Sequence, residues 1–212
     1  MKVESIILDI DGTLWNTLPL VEESWNGQMN DEGHPECNAT MEDLKNLFGK
    51  TTDVIADILF ASLPQEQRLP LMARCMDREH ELIEASSRDC TYPGTVAALR
   101  ALAKRFRLFL VSNSEPGYPE LLVRKLGISD IIQDTLCFGD TGRSKGENIR
   151  TIMERNGIEK AVYVGDTQGD CDASRAAGIP FVWASYGFGQ PNTYTYKIQS
   201  LSQLGELLQE DM

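Results

Sequence analysis

Residues 3–8, VESIIL, make a short apolar run rich in β-branched side chains that stops at once in Asp9-Ile10-Asp11-Gly12-Thr13. A run of this length closed by turn residues reads as a buried strand that ends in a loop. Similar runs recur at 108–111, 161–164 and 179–183. Helical spacing fills the intervals. Val96, Leu99 and Leu102 share a face, as do Leu121, Leu122 and Leu126, and then Ile149, Ile152 and Met153. Leu201, Leu204, Leu207 and Leu208 give the tail an amphipathic helix that closes the core. Strand and helix alternating in this way predict an α/β fold: a Rossmann-like parallel sheet with helices on both faces.

Residues 17–90 break the alternation. They hold no convincing strand, but Met41, Leu44, Leu47 and Phe48 have helical spacing, as do Val54, Ile55, Ile58 and Leu59. Leu71, Cys75 and Leu82 fit a further helix, and Pro64 and Pro70 are expected to interrupt the block. The polar, Gly-containing segment from Trp25 to Cys37 is not assigned to any element. Tyr92-Pro93-Gly94 turns the chain back into the alternating pattern. The organisation expected is therefore a core of residues 1–16 and 91–212 with a helical insert at 17–90.

The net charge of −12 and the absence of a basic stripe argue against nucleic acid as a partner, because binding its phosphates requires clustered Lys and Arg. The five cysteines are odd in number and include no C-x-x-C pair, which argues against a disulfide framework or structural zinc. The first residues lack the apolar stretch of a signal peptide, and no run approaches the roughly 20 apolar residues of a membrane span. A cytoplasmic protein without a membrane partner is expected. The sequon at Asn38-Ala39-Thr40 then has no use.

Open parallel sheets bind ligands beyond the carboxyl ends of their strands. Asp9 and Asp11 follow the first strand; Ser112, Asn113 and Ser114 follow the second. The loop 139–144 runs into Lys145, and Asp166 and Asp170 follow the later strand at 161–164. Converging on one rim, these loops supply four carboxylates, small polar donors and one ammonium. Asp9 and Asp11, two apart, point to the same side of an extended chain. With Asp166 they repel one another unless a cation lies between them, and hard oxygen donors suit Mg²⁺. A carboxylate beside a metal can attack a phosphoryl group, a reaction governed by positioning and charge stabilisation. Lys145 supplies a compact positive charge, while Thr13, Ser112 and the amides after it can bind phosphate oxygens. No single motif carries this reading: an Asp-x-Asp-Gly is often a turn, Ser-Asn often a cap, and Asp166 with Asp170 could decorate a helix start. Their joint order, each at a strand end, carries it.

In that order the chain resembles the haloacid dehalogenase-like hydrolases. The matching segments are DIDGTLWN at 9–16, VSNS at 111–114, Lys145, and VGDTQGDCDASRAAGIP at 164–180. The insert is similar to the family's type 1 cap, as in phosphoglycolate phosphatase-like members. The resemblance implies Asp9 as nucleophile and metal ligand. It implies Asp11 as the acid that protonates the leaving group and the base that activates water, with its backbone carbonyl on the metal. Ser112 and Asn113 bind the phosphoryl group, and Lys145 stabilises its charge and that of Asp9. Asp166 ligates the metal, and Asp170 holds the metal's water shell or orients Lys145. Dehalogenases of the superfamily usually lack an acid two residues after the nucleophile, so Asp11 favours phosphate. Two positions depart from the common pattern: Asn16 stands where many members have Asp, and Lys145 is followed by Gly146 rather than Pro.

The expected activity is Mg²⁺-dependent hydrolysis of a small phosphorylated substrate through an aspartyl-phosphate. A sugar phosphomutase of the β-phosphoglucomutase kind is the alternative, and a non-catalytic regulatory protein on the same fold a third. Gly49-Lys50-Thr51-Thr52 lacks the earlier glycine of a P-loop. His34 and His80 are isolated, and Trp25, His34 and Lys50 are the residues of the insert that could reach a substrate.

Overall fold

The structure is a computed structural model that describes residues 3–210. From the first strand, β1 (Ser5–Leu8), the chain enters helices α1 (Leu18–Asp31), α2 (Met41–Leu47), α3 (Thr52–Leu59) and α4 (Gln65–Ala85). It then alternates through α5 (Thr95–Leu102), β2 (Arg107–Ser112), α6 (Tyr118–Leu126), β3 (Ile132–Cys137) and α7 (Phe138–Thr141). Next come α8 (Lys145–Arg155), β4 (Ala161–Gly165), α9 (Gln168–Ala177), β5 (Phe181–Ala184) and β6 (Tyr196–Ile198), and α10 (Leu204–Glu210) closes the series. The chain divides into two compact units, Met1–Asn16 with Thr91–Met212, and Thr17–Cys90.

In the first unit all the strands join one parallel sheet, in the order β3-β2-β1-β4-β5-β6. β1 lies at its centre, with Leu8 level with Leu110 on one side and Val164 on the other. Ile6, Ile7 and Leu8 are all fully buried, so both faces of the central strand are covered, as parallel sheets require. One face packs Ile7, Phe109, Val111 and Tyr163 against Ile149 and Ile152 of α8 and Ala173 of α9.

The sequence pattern misses β3 and β6, and both are edge strands. β3 reads IQDTLC and buries only Leu136 and Cys137; β6 has three residues and buries only Ile198. An edge strand has one neighbour and less apolar surface to cover, so its sequence carries little of the run that marks a central strand.

In the helical unit α4 packs against α1 and α3, and α1 against α2. Three expectations change here. Pro70 lies inside α4 without interrupting it: proline removes one helical hydrogen bond, here early in a 21-residue helix. The unassigned segment from Trp25 is largely the second half of α1, followed by a 3₁₀ turn at Pro35–Cys37. Trp25 is 2% exposed and donates its indole N–H to Glu79 Oε2 at 2.7 Å, so it belongs to the core of this unit and is withdrawn as a substrate contact. His34 approaches Glu36, with Nδ1 3.3 Å from Oε1, and Lys50 is exposed. Among the described residues, no helix is long and apolar enough to cross a membrane.

Candidate active site

β1 and β4 are neighbours, but the chain continues from β1 toward β2 on one side and from β4 toward β5 on the other. The loops that leave them therefore part, and the crevice between is where such sheets bind ligands. Asp9 is the first residue past β1, its N–H donating to the Val164 carbonyl at 2.8 Å; Asp166 is the first past β4. Oxygens of Asp9, Asp166 and Asp170 lie within 4.8 Å of one another.

Lys145 enters from α8. The hydroxyl of Ser144 caps this helix, accepting from the Glu147 N–H, so Lys145 takes the first helical position. Its Nζ donates to Asp9 Oδ1 at 3.0 Å and to Asp170 Oδ1 at 2.7 Å. The other oxygen of Asp170 accepts from the Thr167 N–H, the Thr167 hydroxyl and the Asp166 N–H. Thr167 and Asp170 form the capping box that starts α9, so one carboxylate begins a helix, anchors the loop after β4 and holds Lys145.

Asp166 Oδ2 accepts from the Phe188 N–H at 2.6 Å, and Oδ1 from the Thr13 hydroxyl at 3.4 Å. Thr13 is fully buried and its carbonyl accepts from the Tyr186 hydroxyl, so the structure turns this residue onto Asp166. Gly12 lets the first loop pass so near. It has φ +80°, and a Cβ there would stand 2.3 Å from Asp166 Oδ2.

The Asp11 side chain is not part of the three-carboxylate group. It turns aside, and its Oδ1 accepts from Trp15 Nε1 at 3.1 Å and from the Tyr118 hydroxyl at 2.7 Å. Ser112, the last residue of β2, is buried, and its Oγ accepts from the Ser114 N–H at 3.3 Å. Asn113 follows on the same loop, half-buried.

The electrostatics follow from the composition of the crevice. Asp9 is raised well above the usual carboxylate range by burial and then by the charge of Asp170. Asp166 is raised to about 7 by the same two causes. Burial also acts on Asp170, but the Lys145 ammonium outweighs it and holds that carboxyl low. Burial opposes the charge of Lys145, and Asp170 and Asp9 overcome it and raise its pKa. Three buried carboxylates thus face one buried ammonium. The donor set is all oxygen and carries excess negative charge, which is what a hard divalent cation fits.

Trp15, Tyr118, Thr167 and the amide of Phe188 were not among the residues singled out from the sequence. The T-x-x-D of the capping box was a readable signal for Thr167. Nothing local marks the other three, whose partners lie on other loops or inside the same turn.

The model of the family described as haloacid dehalogenase-like hydrolase matches residues 6–184. The chain is similar to the phosphoglycolate phosphatase of Rhodospirillum rubrum, at 28% identity over 202 residues covering 88% of this chain and 81% of that one. It is also similar to the phosphoglycolate phosphatase of Agrobacterium fabrum, at 28% identity with 86% and 80% covered. A crystal structure from Haemophilus somnus, described as that of a predicted phosphoglycolate phosphatase, shares the fold with a TM-score of 0.84 at 21% identity, over 98% of each chain. A match of this extent, together with the carboxylates and lysine that the sheet gathers at its switch point, makes the chain a member of the haloacid dehalogenase-like hydrolases.

Proposed function

We propose that the protein is a Mg²⁺-dependent phosphatase that hydrolyses a small phosphomonoester through Asp9. The observation that carries this reading is the buried Lys145 ammonium, bonded at once to Asp9 and Asp170 beside Asp166. Asp9, Asp166 and the backbone carbonyl of Asp11 would hold the cation, with Asp170 outside them because its oxygens already serve Lys145, Thr167 and the Asp166 amide. When bound, Mg²⁺ supplies positive charge to the excess carboxylates and to the phosphoryl oxygens.

An oxygen of Asp9 attacks phosphorus in line with the ester oxygen, which departs as Asp11 gives it a proton. Water, losing a proton to Asp11, then attacks phosphorus and releases phosphate and Asp9. Lys145 opposes the burial that raises the Asp9 pKa, orients that carboxyl and lies where charge gathers on the transferring group. Ser112 and Asn113 donate to the phosphoryl oxygens. The helical unit, Thr17–Cys90, supplies the selection of the ester.

Relatives named phosphoglycolate phosphatases make phosphoglycolate the first ester to assay. A panel of phosphoglycolate, hexose phosphates and p-nitrophenyl phosphate, with and without Mg²⁺, tests the proposal by phosphate release. A folded protein that releases phosphate from none of them in Mg²⁺ sinks it. A phosphorylated isomer formed without free phosphate replaces hydrolysis by the mutase reaction.

A further inference from the structure

Two donors from different segments, the loop after β1 and the start of α6, end on a single oxygen of Asp11. The Tyr118 hydroxyl reaches Oδ1 at 2.7 Å and Trp15 Nε1 reaches it at 3.1 Å. The two rings meet edge to face, with centroids 5.7 Å apart, and the side chains are 3% and 2% exposed. Each is fixed from behind. Tyr118 occupies the first position of α6, after Gly117 and before Pro119. Trp15 is held at its backbone by bridges to Asp11 and Thr91. Neither ring can swing without disturbing the other, so their donors occupy set points in space.

We propose that Tyr118 and Trp15 are positioning residues that clamp the Asp11 carboxyl in the orientation from which it protonates the leaving group. Two bonds ending on one oxygen fix the plane of the carboxyl, so the clamp sets the direction in which Asp11 presents its proton. In the step it serves, Asp9 forms a bond to phosphorus and the P–O ester bond breaks. The electron pair stays on the ester oxygen, which takes the proton from the Asp11 carboxyl. A phenolic donor and an indole donor do this without adding charge beside a crevice already rich in carboxylates. This rests on the phosphatase reading, and it states how one member of that site is oriented.

The clamp makes a prediction that a structural role alone does not. Proton donation matters for an alkoxide leaving group and little for an aryl oxide that is stable as the anion. Y118F removes only the hydroxyl oxygen and keeps the buried ring; W15F removes the indole N–H. For each variant, kcat/KM is measured in Mg²⁺ on an alkyl phosphate and on p-nitrophenyl phosphate, since this ratio reports steps up to phosphorylation of Asp9. The expected result is a fall of about tenfold or more in the ratio of alkyl to aryl kcat/KM, larger for Y118F, with circular dichroism unchanged. Equal losses on both esters, or no loss on either, overturn the clamp. If W15F does not fold, Y118F decides alone. A wild-type protein that hydrolyses neither ester overturns the phosphatase reading instead, so the two failures are distinct.

Discussion

The Lys145 ammonium lies 3.0 Å from Asp9 Oδ1 in a crevice where both side chains are only 5% exposed. Such a pair is costly to desolvate, and breaking it leaves an uncompensated buried charge. Replacing Lys145 by Met should therefore lower the stability of the metal-free protein by about 3–5 kcal/mol at neutral pH. The same change should cut kcat by about 10²–10³-fold, the scale of losing one preorganised charge at a reacting centre. Urea unfolding in EDTA and steady-state kinetics in Mg²⁺ measure the two effects.

Asp9→Asn keeps the shape of the side chain and removes its charge and nucleophilicity. On the proposed mechanism turnover falls to background, and no phosphoenzyme forms on rapid quenching. Stability in EDTA should hold or rise, because the substitution relieves repulsion from Asp170 and Asp166. Turnover at the wild-type rate would exclude Asp9 as the nucleophile.

The Asp166 carboxyl is raised to about 7 by burial and then by the charge of Asp170, against about 3.9 in an unfolded chain. Between those values the native state binds more protons than the unfolded one, so stability falls as pH rises through roughly 4 to 7. Asp9, raised by burial and the same neighbour, adds to this slope. Asp170, held low, contributes in the opposite direction, but only below about pH 4. Melting in EDTA should drop from pH 5 to pH 8, and the gain on adding Mg²⁺ should be larger at pH 8. Equal gains at both pH values would contradict a cation bound against these carboxylates.

Gly187 sits where the loop after β5 crosses the first loop. A Cβ there would lie 2.3 Å from the Gly12 carbonyl oxygen and 2.4 Å from Asp166 Cβ. Gly187→Ala must push that loop outward and weaken the Phe188 N–H bond to Asp166. The Mg²⁺ concentration for half-maximal activity should rise by about tenfold, the scale on which partners of metal ligands act. A Mg²⁺ titration of turnover reads it directly.

In the helical unit, Trp25→Phe removes the 2.7 Å indole bond to the buried Glu79 carboxylate. A loss of about 1–3 kcal/mol is expected, from a buried acceptor deprived of a donor. Glu79→Gln in the Trp25→Phe background should recover part of it, because a neutral amide costs less to bury. Chemical denaturation of both variants gives the comparison.

The four runs at 3–8, 108–111, 161–164 and 179–183 correspond to β1, β2, β4 and β5, the inner strands of the sheet. They are legible because both of their faces are buried, which forces a nearly continuous apolar sequence. β3 and β6 are not, since an edge position asks less of its residues. α1 was obscured by Asn26, Gly27 and Asn30, weak helix formers that its packing against α4 overrides. Pro70 misled for a similar reason, because the packing of α4 outweighs one lost hydrogen bond.

The sequence by itself determined which residue types stand at the end of each inner strand. Local apolar pattern fixes where a parallel strand stops, and the chain order then brings Asp9, Ser112 and Asp166 to one rim. Only the tertiary structure decided where each side chain there points. It joined Lys145 to Asp170 as well as Asp9, laid the Thr13 hydroxyl on Asp166, and turned Asp11 toward Trp15 and a tyrosine 107 residues away. A strand boundary follows from neighbours in sequence. The direction of a carboxylate follows from donors on other segments, and those donors meet it only once the sheet has formed.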